Sequence, residues 1–121
     1  MSNESKQLLS GSANGRQILV AATDTPGTII HTTLGDKSQY DEIWLYTHNL
    51  HSENVTLIVE WGGTTDPNDH MKTVIAPYIG IIQIVPGLIL TNGVVVRAYA
   101  DITNKMVISG FVCRTKRGTI R

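Results

Sequence analysis

Hydrophobic and polar positions alternate along several short segments in the second third of the chain. From Asp41 to His48 the two phases differ: one contains Ile43, Leu45 and Thr47, and the other contains Trp44, Tyr46 and His48. Successive side chains of a strand point to opposite faces of a sheet, so this alternation predicts a strand with one buried face. Val55–Trp61 alternates in the same way.

Turn signals divide the chain into eight predicted strands, and no segment has a helical pattern. Pro26-Gly27, Pro86-Gly87 and Asn92-Gly93 are typical turn pairs, because proline presets φ and glycine accepts positive φ. The Ile-rich segment around residues 79–84 is typical of a strand covered on both faces. The predicted strands are Gln17–Ala22, Thr28–Thr33, Asp41–His48, Val55–Trp61, Met71–Ala76, Tyr78–Val85, Gly93–Ala100 and Lys105–Arg114.

Short strands without a helix predict an all-β domain. The expected architecture is a two-sheet antiparallel β-sandwich of jelly-roll or related type, formed by residues 16–115. Residues 1–15 are polar and rich in Ser, Asn and Gly, which predicts a flexible N-terminal arm with Leu8-Leu9 as its one apolar spot. Residues 116–121 are expected to form a basic C-terminal tail.

Length and charge set the bounds for function. The 121 residues suffice for one domain, and ten basic residues balance ten acidic ones. A balanced chain has no global electrostatic reason to bind nucleic acid or a membrane. Residues 1–70 nevertheless carry nine acidic and three basic residues, whereas residues 71–121 carry one acidic and seven basic residues. Such halves suit contacts between copies, and ordinary scatter is the equally weighted alternative.

Cysteine content and hydropathy predict a soluble protein folded in a reducing compartment. The single Cys113 excludes an intrachain disulfide and a Cys-based zinc site, and its alternating context predicts a small buried side chain. No apolar run approaches the roughly 20 residues of a membrane helix. The first 15 residues also lack the apolar core of a signal peptide.

Histidines are the main candidate metal ligands, since the oxygen ligands of the loop at residues 66–69, which suit calcium, are better explained as an ordinary turn. His48 and His51 have an H-x-x-H spacing, and His70 follows a loop that contains Asp66 and Asp69. Two imidazoles and a carboxylate can hold zinc or nickel. Because His48 ends a strand and His51 lies in a turn, exposed turn histidines are the favoured interpretation, and no cofactor is expected.

Motifs for catalysis are missing from the sequence. It contains no G-x-S-x-G nucleophile motif, and Gly62-Gly63 is not followed by the Lys and Ser/Thr of a phosphate-binding loop. A non-enzymatic protein is therefore predicted. A small cupin-like enzyme that uses His48, His51 and His70 is a minor alternative.

The amino-acid sequences of several predicted strands and turns resemble those of a known group of proteins. The order GTIIHTT, DEIWLYTHN, VTLIVEWGG, IIQIVPGLILTNGVVVRAYA and VISGFVCR, which spans residues 27–114, resembles small virion proteins of tailed bacteriophages. In size and all-β character the chain also resembles capsid decoration, or cement, proteins. It departs from the pattern at Cys113-Arg114, where members of the group commonly have an Asn-Arg pair.

This resemblance implies a β-sandwich present in many copies on a phage particle. Such a protein would stabilise the assembled head by binding the major capsid protein, or sit at the neck or tail. It would form a homo-oligomer, for which we expect a trimer, without membrane or direct nucleic-acid contacts. Symmetric repetition multiplies weak contacts, so each copy needs little affinity alone.

Aromatic, aliphatic and basic side chains are the predicted contact residues. Aromatic alternation on strands marks a core or subunit interface more often than a sugar-stacking platform. The alternative is a host-glycan module that uses Trp44, Trp61 and the loop of residues 62–69. The predicted interface consists of Leu8, Leu9, Trp44, Tyr46, Trp61, Tyr78, Arg97, Tyr99, Arg114, Lys116 and Arg117.

Overall fold

The computed structural model describes residues 4–116 and confirms the all-β prediction. Within this range the chain forms nine strands and no helix, so no helical segment long and apolar enough to cross a membrane lies in it. The strands are β1 (Glu4–Leu8), β2 (Ile18–Val20), β3 (Thr28–Thr32), β4 (Gln39–Asn49), β5 (Val55–Trp61), β6 (His70–Ile75), β7 (Ile82–Thr91), β8 (Val95–Ala100) and β9 (Met106–Lys116).

Two antiparallel sheets enclose one core, as expected for a β-sandwich. Sheet A has the order β1-β9-β4-β7, and β2 pairs with the other end of β9, on the same side as β1. Sheet B has the order β3-β8-β5-β6. The narrower jelly-roll assignment stays a prediction.

The core forms because both sheets turn their apolar phase inward. On β4, Ile43 and Leu45 are fully buried, and on β5 the inward residues include Leu57. Aliphatic side chains from both sheets complete the cluster, and each buried Leu or Ile contributes about 1.5–3 kcal/mol relative to exposure. The largest members are Leu9, Ile30, Ile43, Leu45, Leu57, Ile75, Met106 and Ile108.

The flexible-arm prediction is wrong for the segment that contains Glu4–Leu8. These residues form β1 and pair with β9 from Thr115 to Phe111. β2 pairs only with residues 106–108 of β9, so without β1 the backbone N–H and C=O groups on the rest of this side would have no strand to pair with. Backbone polar groups of folded proteins are nearly always hydrogen-bonded. Leu9 follows β1 and is 1% exposed, so it belongs to the core and not to an interface.

The predicted turn at Pro86-Gly87 is also wrong, because β7 continues through both residues. β7 is an edge strand that pairs only with β4 among the described strands, and its register shifts on either side of Trp44 and Leu45. Proline is tolerated on an edge because the missing N–H takes no ladder bond, and Gly87, at φ +79°, accommodates the bulge. Ile79 and Ile81 precede this strand in an exposed loop instead of being covered on both faces.

Candidate interaction surface

An apolar face covers the outside of sheet A. We define it by Leu8, Leu19, Trp44, Tyr46, Ile89 and Phe111, which occupy outward positions on five adjoining strands. Leu8, Leu19 and Ile89 are 57%, 47% and 53% exposed. Several exposed apolar side chains on one face of a sheet mark an interaction site more often than single ones do.

Trp44 lies at the centre of this apolar face and is held on three sides. Its ring stacks on Phe111, with 6.0 Å between centroids and 11° between planes. It lies so close to Gly87 that a Cβ there would stand 2.6 Å from the ring. The indole Nε1 donates a hydrogen bond to Glu42 Oε1 at 3.2 Å. The aromatic pair is therefore preformed and costs little side-chain entropy on binding.

Charged groups lie beside the aromatic pair. The Lys6 ammonium lies 5.0 Å from the centre of the Phe111 ring, within the range of a cation–π contact. Glu4, Glu42 and Cys113 bring potential ligand atoms within 4.8 Å of one another. Burial, followed by the carboxylates of Glu4 and Glu42, raises the pKa of the Cys113 thiol, which favours the neutral thiol over a metal-binding thiolate.

A buried ionic network links the two sheets beneath this surface. On β4, Asp41 is 1% exposed and accepts hydrogen bonds from Arg114 Nε at 2.8 Å and Nη2 at 3.0 Å. On β3 of sheet B, His31 Nε2 lies 2.7 Å from the same carboxylate. Burial raises the pKa of Asp41, but hydrogen bonds from Arg114 and His31 outweigh it and hold that pKa below its usual 3.8. Hydrogen bonding to Asp41 in turn raises the pKa of Arg114, although burial opposes it.

A pocket of about 350 Å³ lies on the outer face of sheet B. The Tyr99 ring and the His70 imidazole meet edge to face on one side of it, at 6.0 Å and 76°. Burial, then the negative charges of Glu60, Asp24 and Asp66, raise the pKa of Tyr99, so its hydroxyl stays protonated. The residues that line the pocket are Ile58, Asp66, Pro67, His70, Lys72 and Tyr99.

Glu60 is fully buried beside this pocket. Its carboxylate accepts hydrogen bonds from the Thr25 hydroxyl at 2.6 Å and the Gly27 N–H at 2.7 Å. His70 Nε2 lies 3.6 Å from the Glu60 carboxylate, and Nδ1 lies 3.5 Å from that of Asp66. Glu60 thus fixes the β2–β3 loop on sheet B, and His70 stands between two carboxylates.

The structure distributes the predicted interface residues over both outer faces and the interior. Leu8, Trp44 and Tyr46 come together on the apolar face. Arg97 and Tyr99 occupy outward positions on sheet B, whereas Trp61 packs against the core. The remaining predicted residues also differ in position.

Tyr78 is 65% exposed in the β6–β7 loop. Arg114 turns inward to Asp41, and Lys116 ends β9. Arg117 lies outside the described residues. Trp44 and Trp61 therefore do not form one sugar platform, since they belong to different sheets and Trp61 faces the core.

Neither a metal site nor the full contact surface follows from the sequence. His48 lies on β4, His51 in the turn after it and His70 on β6 of the other sheet, and no metal-ligand group within residues 4–116 includes them. Phe111, Leu19 and Ile89 were missed as surface residues. The outward phase of Trp44 and Tyr46 is the signal that would have found Phe111, given the pairing of β4 with β9.

Comparisons of the chain with protein-family models, curated proteins and solved structures found no significant match. The resemblance to phage virion proteins therefore remains a basis for a proposal only.

Proposed function

We propose that the protein is a non-enzymatic structural component of a tailed-bacteriophage particle, a capsid decoration protein that binds and stabilises the assembled head. The alternative position within this proposal is the neck or tail. The observation that carries it is the amount of exposed apolar surface on a domain whose core is already complete. The sequence resemblance of residues 27–114 to small phage virion proteins is the reason for proposing a phage particle.

Exposed apolar side chains in two places support an assembly role. One is the apolar face of sheet A. The other is the β6–β7 loop, in which Tyr78, Ile79 and Ile81 are 65%, 55% and 65% exposed. An apolar face and an exposed apolar loop together allow one copy to contact a like copy and a different protein. A homo-oligomeric decoration protein would make both contacts, to copies of itself and to the major capsid protein.

The test is binding to phage heads. Purified protein is mixed with heads from the phage that encodes it, prepared from a strain in which the gene is deleted. We expect saturable cosedimentation and a higher temperature of DNA release from the heads. Immunogold labelling then distinguishes the head from the neck or tail. Protein that stays in the supernatant at all concentrations would overturn the proposal.

A matched pair of variants assigns the contact to the loop. Ile81→Ala removes an exposed side chain of the β6–β7 loop, and Ile29→Ala removes one that is 47% exposed on sheet B. We expect only Ile81→Ala to weaken head binding, by about 10-fold, because truncation of a buried interface anchor costs more than 1 kcal/mol.

The second candidate is a host-glycan-binding virion module, which the pocket on sheet B favours. The aromatic ring of Tyr99 stands there with the carboxylate of Asp66 and the ammonium of Lys72, a set that can stack on a sugar ring and bond its hydroxyls. Saturation-transfer NMR with free hexoses and N-acetylhexosamines tests this candidate. Signals lost in Tyr99→Ala and kept in Tyr46→Ala would support it, and the absence of any signal would exclude it.

A further inference from the structure

The register of sheet A places charged and apolar residues of the outer face in three rows across β1, β9 and β4. One row contains Lys6, Cys113 and Glu42, and the next contains Leu8, Phe111 and Trp44. A third row contains Glu4, Thr115 and Tyr40. Neighbouring strands lie about 4.8 Å apart, so each row has β9 at its centre and its ends at equal distances from it.

From these rows we infer that the protein forms a two-fold dimer in which the outer faces of two sheets A pack against each other about an axis along β9. This inference rests on the proposed role as a repeated structural subunit and names the first contact of that subunit. It replaces the trimer expected from the resemblance with a dimer. A rotation about that axis exchanges the two ends of every row. Lys6 then faces the partner's Glu42, and Leu8 faces the partner's Trp44.

Charge complementarity selects this axis. Lys6 and Glu42 have opposite charges on opposite sides of β9, so the rotation creates two ion pairs per dimer. A two-fold axis across the strands through Cys113 would instead place Lys6 against the partner's Lys6 and Glu42 against the partner's Glu42. Like charges in direct contact are strongly unfavourable at an interface.

The apolar rows fit the same arrangement. Phe111 lies on the axis and meets the partner's Phe111, with Leu8 and the preformed Trp44 on either side. Leu8 is 57% exposed in the single chain and would become buried. Two aligned sheets pack about 10 Å apart, a separation that side chains of this size fill from both sides. A Tyr40 hydroxyl can donate a hydrogen bond to the carboxylate of the partner's Glu4.

Charge reversal tests the contact between chains. Lys6→Glu leaves two acidic groups that repel across the axis, and Glu42→Lys leaves two basic groups. We expect each variant alone to lose at least about 10-fold in self-association by sedimentation velocity. An equimolar mixture of the two should form a heterodimer, because both cross-axis contacts are then attractive. A restoration that requires mixing cannot arise within one chain.

Lys37→Glu and Glu53→Lys make the same charge changes at exposed loop positions, and both should associate as the wild type does. Unfolding temperatures establish that the variants are folded. Single variants that associate like the wild type, or a mixture that stays monomeric, would overturn the inference.

The single Cys113 gives a second readout, because it lies on the proposed axis. A short, flexible bismaleimide should link two wild-type copies and fail to link Lys6→Glu, because the two thiols face each other between sheets that pack about 10 Å apart. The reaction is run at mildly alkaline pH, since the pKa of this thiol is raised. A wild-type trimer or monomer would overturn the two-fold arrangement, whereas the proposed function is decided separately by head binding.

Discussion

His31 Nε2 and the Asp41 carboxylate meet at 2.7 Å in the interior, and this contact joins sheet B to sheet A. The backbone N–H of Ser10 donates a hydrogen bond to His31 Nδ1 at 3.0 Å. Nδ1 therefore carries a lone pair, so Nε2 carries the proton and donates it to Asp41. A neutral histidine thus bridges the segment after β1 and the Asp41–Arg114 pair.

Arg114→Ala should destabilise the protein by about 3 kcal/mol, because it leaves Asp41 buried without its cationic partner. Equilibrium urea unfolding at pH 7 measures this loss. Arg16→Ala, which removes an exposed arginine from a loop, should change the free energy of unfolding by less than about 0.5 kcal/mol. A loss below about 1 kcal/mol for Arg114→Ala would show that the pair behaves like an exposed ion pair.

The contribution of Asp41 to stability should disappear in acid. Its pKa is lowered in the folded state, so the folded protein binds fewer protons there than the unfolded chain. The stabilisation is complete well above the unfolded pKa, near 3.9, and is lost as the pH falls through the lower folded pKa.

The measurement is the difference in unfolding free energy between the wild type and Asp41→Asn from pH 6 to pH 2.5. We expect a constant difference above about pH 5 that shrinks below about pH 4. Glu53→Gln, at an exposed position, should follow the wild-type profile. A difference that does not vary with pH would contradict the assignment.

Thr25→Val should destabilise the protein by about 1–2 kcal/mol, since it removes a donor from the fully buried Glu60 carboxylate. Thr25→Ser keeps the hydroxyl and serves as the matched control, which should stay close to the wild type. Thermal unfolding followed by circular dichroism compares the two. Equal losses in both variants would mean that the hydroxyl is not what Glu60 requires.

Gly110→Ala should prevent stable folding or cost more than about 4 kcal/mol. A methyl group at Gly110 would fall on the carbonyl oxygen of Trp44 in the neighbouring strand, a backbone atom that cannot move aside. Gly35→Ala is the control, because no atom beyond its own residue and its two chain neighbours lies within 4 Å of the position of its Cβ. Yields of folded protein and unfolding temperatures distinguish the variants, and a folded Gly110→Ala of wild-type stability would refute the close strand approach.

Leu8 and Leu9 should respond differently to the same substitution. Leu9→Ala should cost about 2–5 kcal/mol because it opens a cavity in the core. Leu8→Ala should leave the monomer nearly as stable as the wild type and weaken its self-association. Chemical unfolding and sedimentation velocity separate these two effects. Equal stability losses would contradict the placement of Leu8 outside the core.

The strand pattern was readable from the sequence wherever one face of a strand is buried and the other is not. For β4 and β5 the alternation was predicted but not which phase faces inward: Trp44 and Tyr46 lie outward on β4, whereas Trp61 packs against the core from β5. β1 was missed because its residues are mostly exposed and give no hydrophobic alternation. β7 was divided at Pro86-Gly87 because the sequence does not say that the strand lies at an edge, where such a pair is tolerated.

Local polarity and turn chemistry therefore determine the all-β class, most strand positions and the grouping of Trp44 with Tyr46 on one face of a strand. Strand pairing decides the rest, because it brings together residues that are far apart in the chain. It joins Asp41 to Arg114 in the interior, although the sequence predicts Arg114 as a contact residue. It also aligns Lys6 and Glu42 on either side of β9, an arrangement that no local pattern encodes because register is set by the fit of whole sheets.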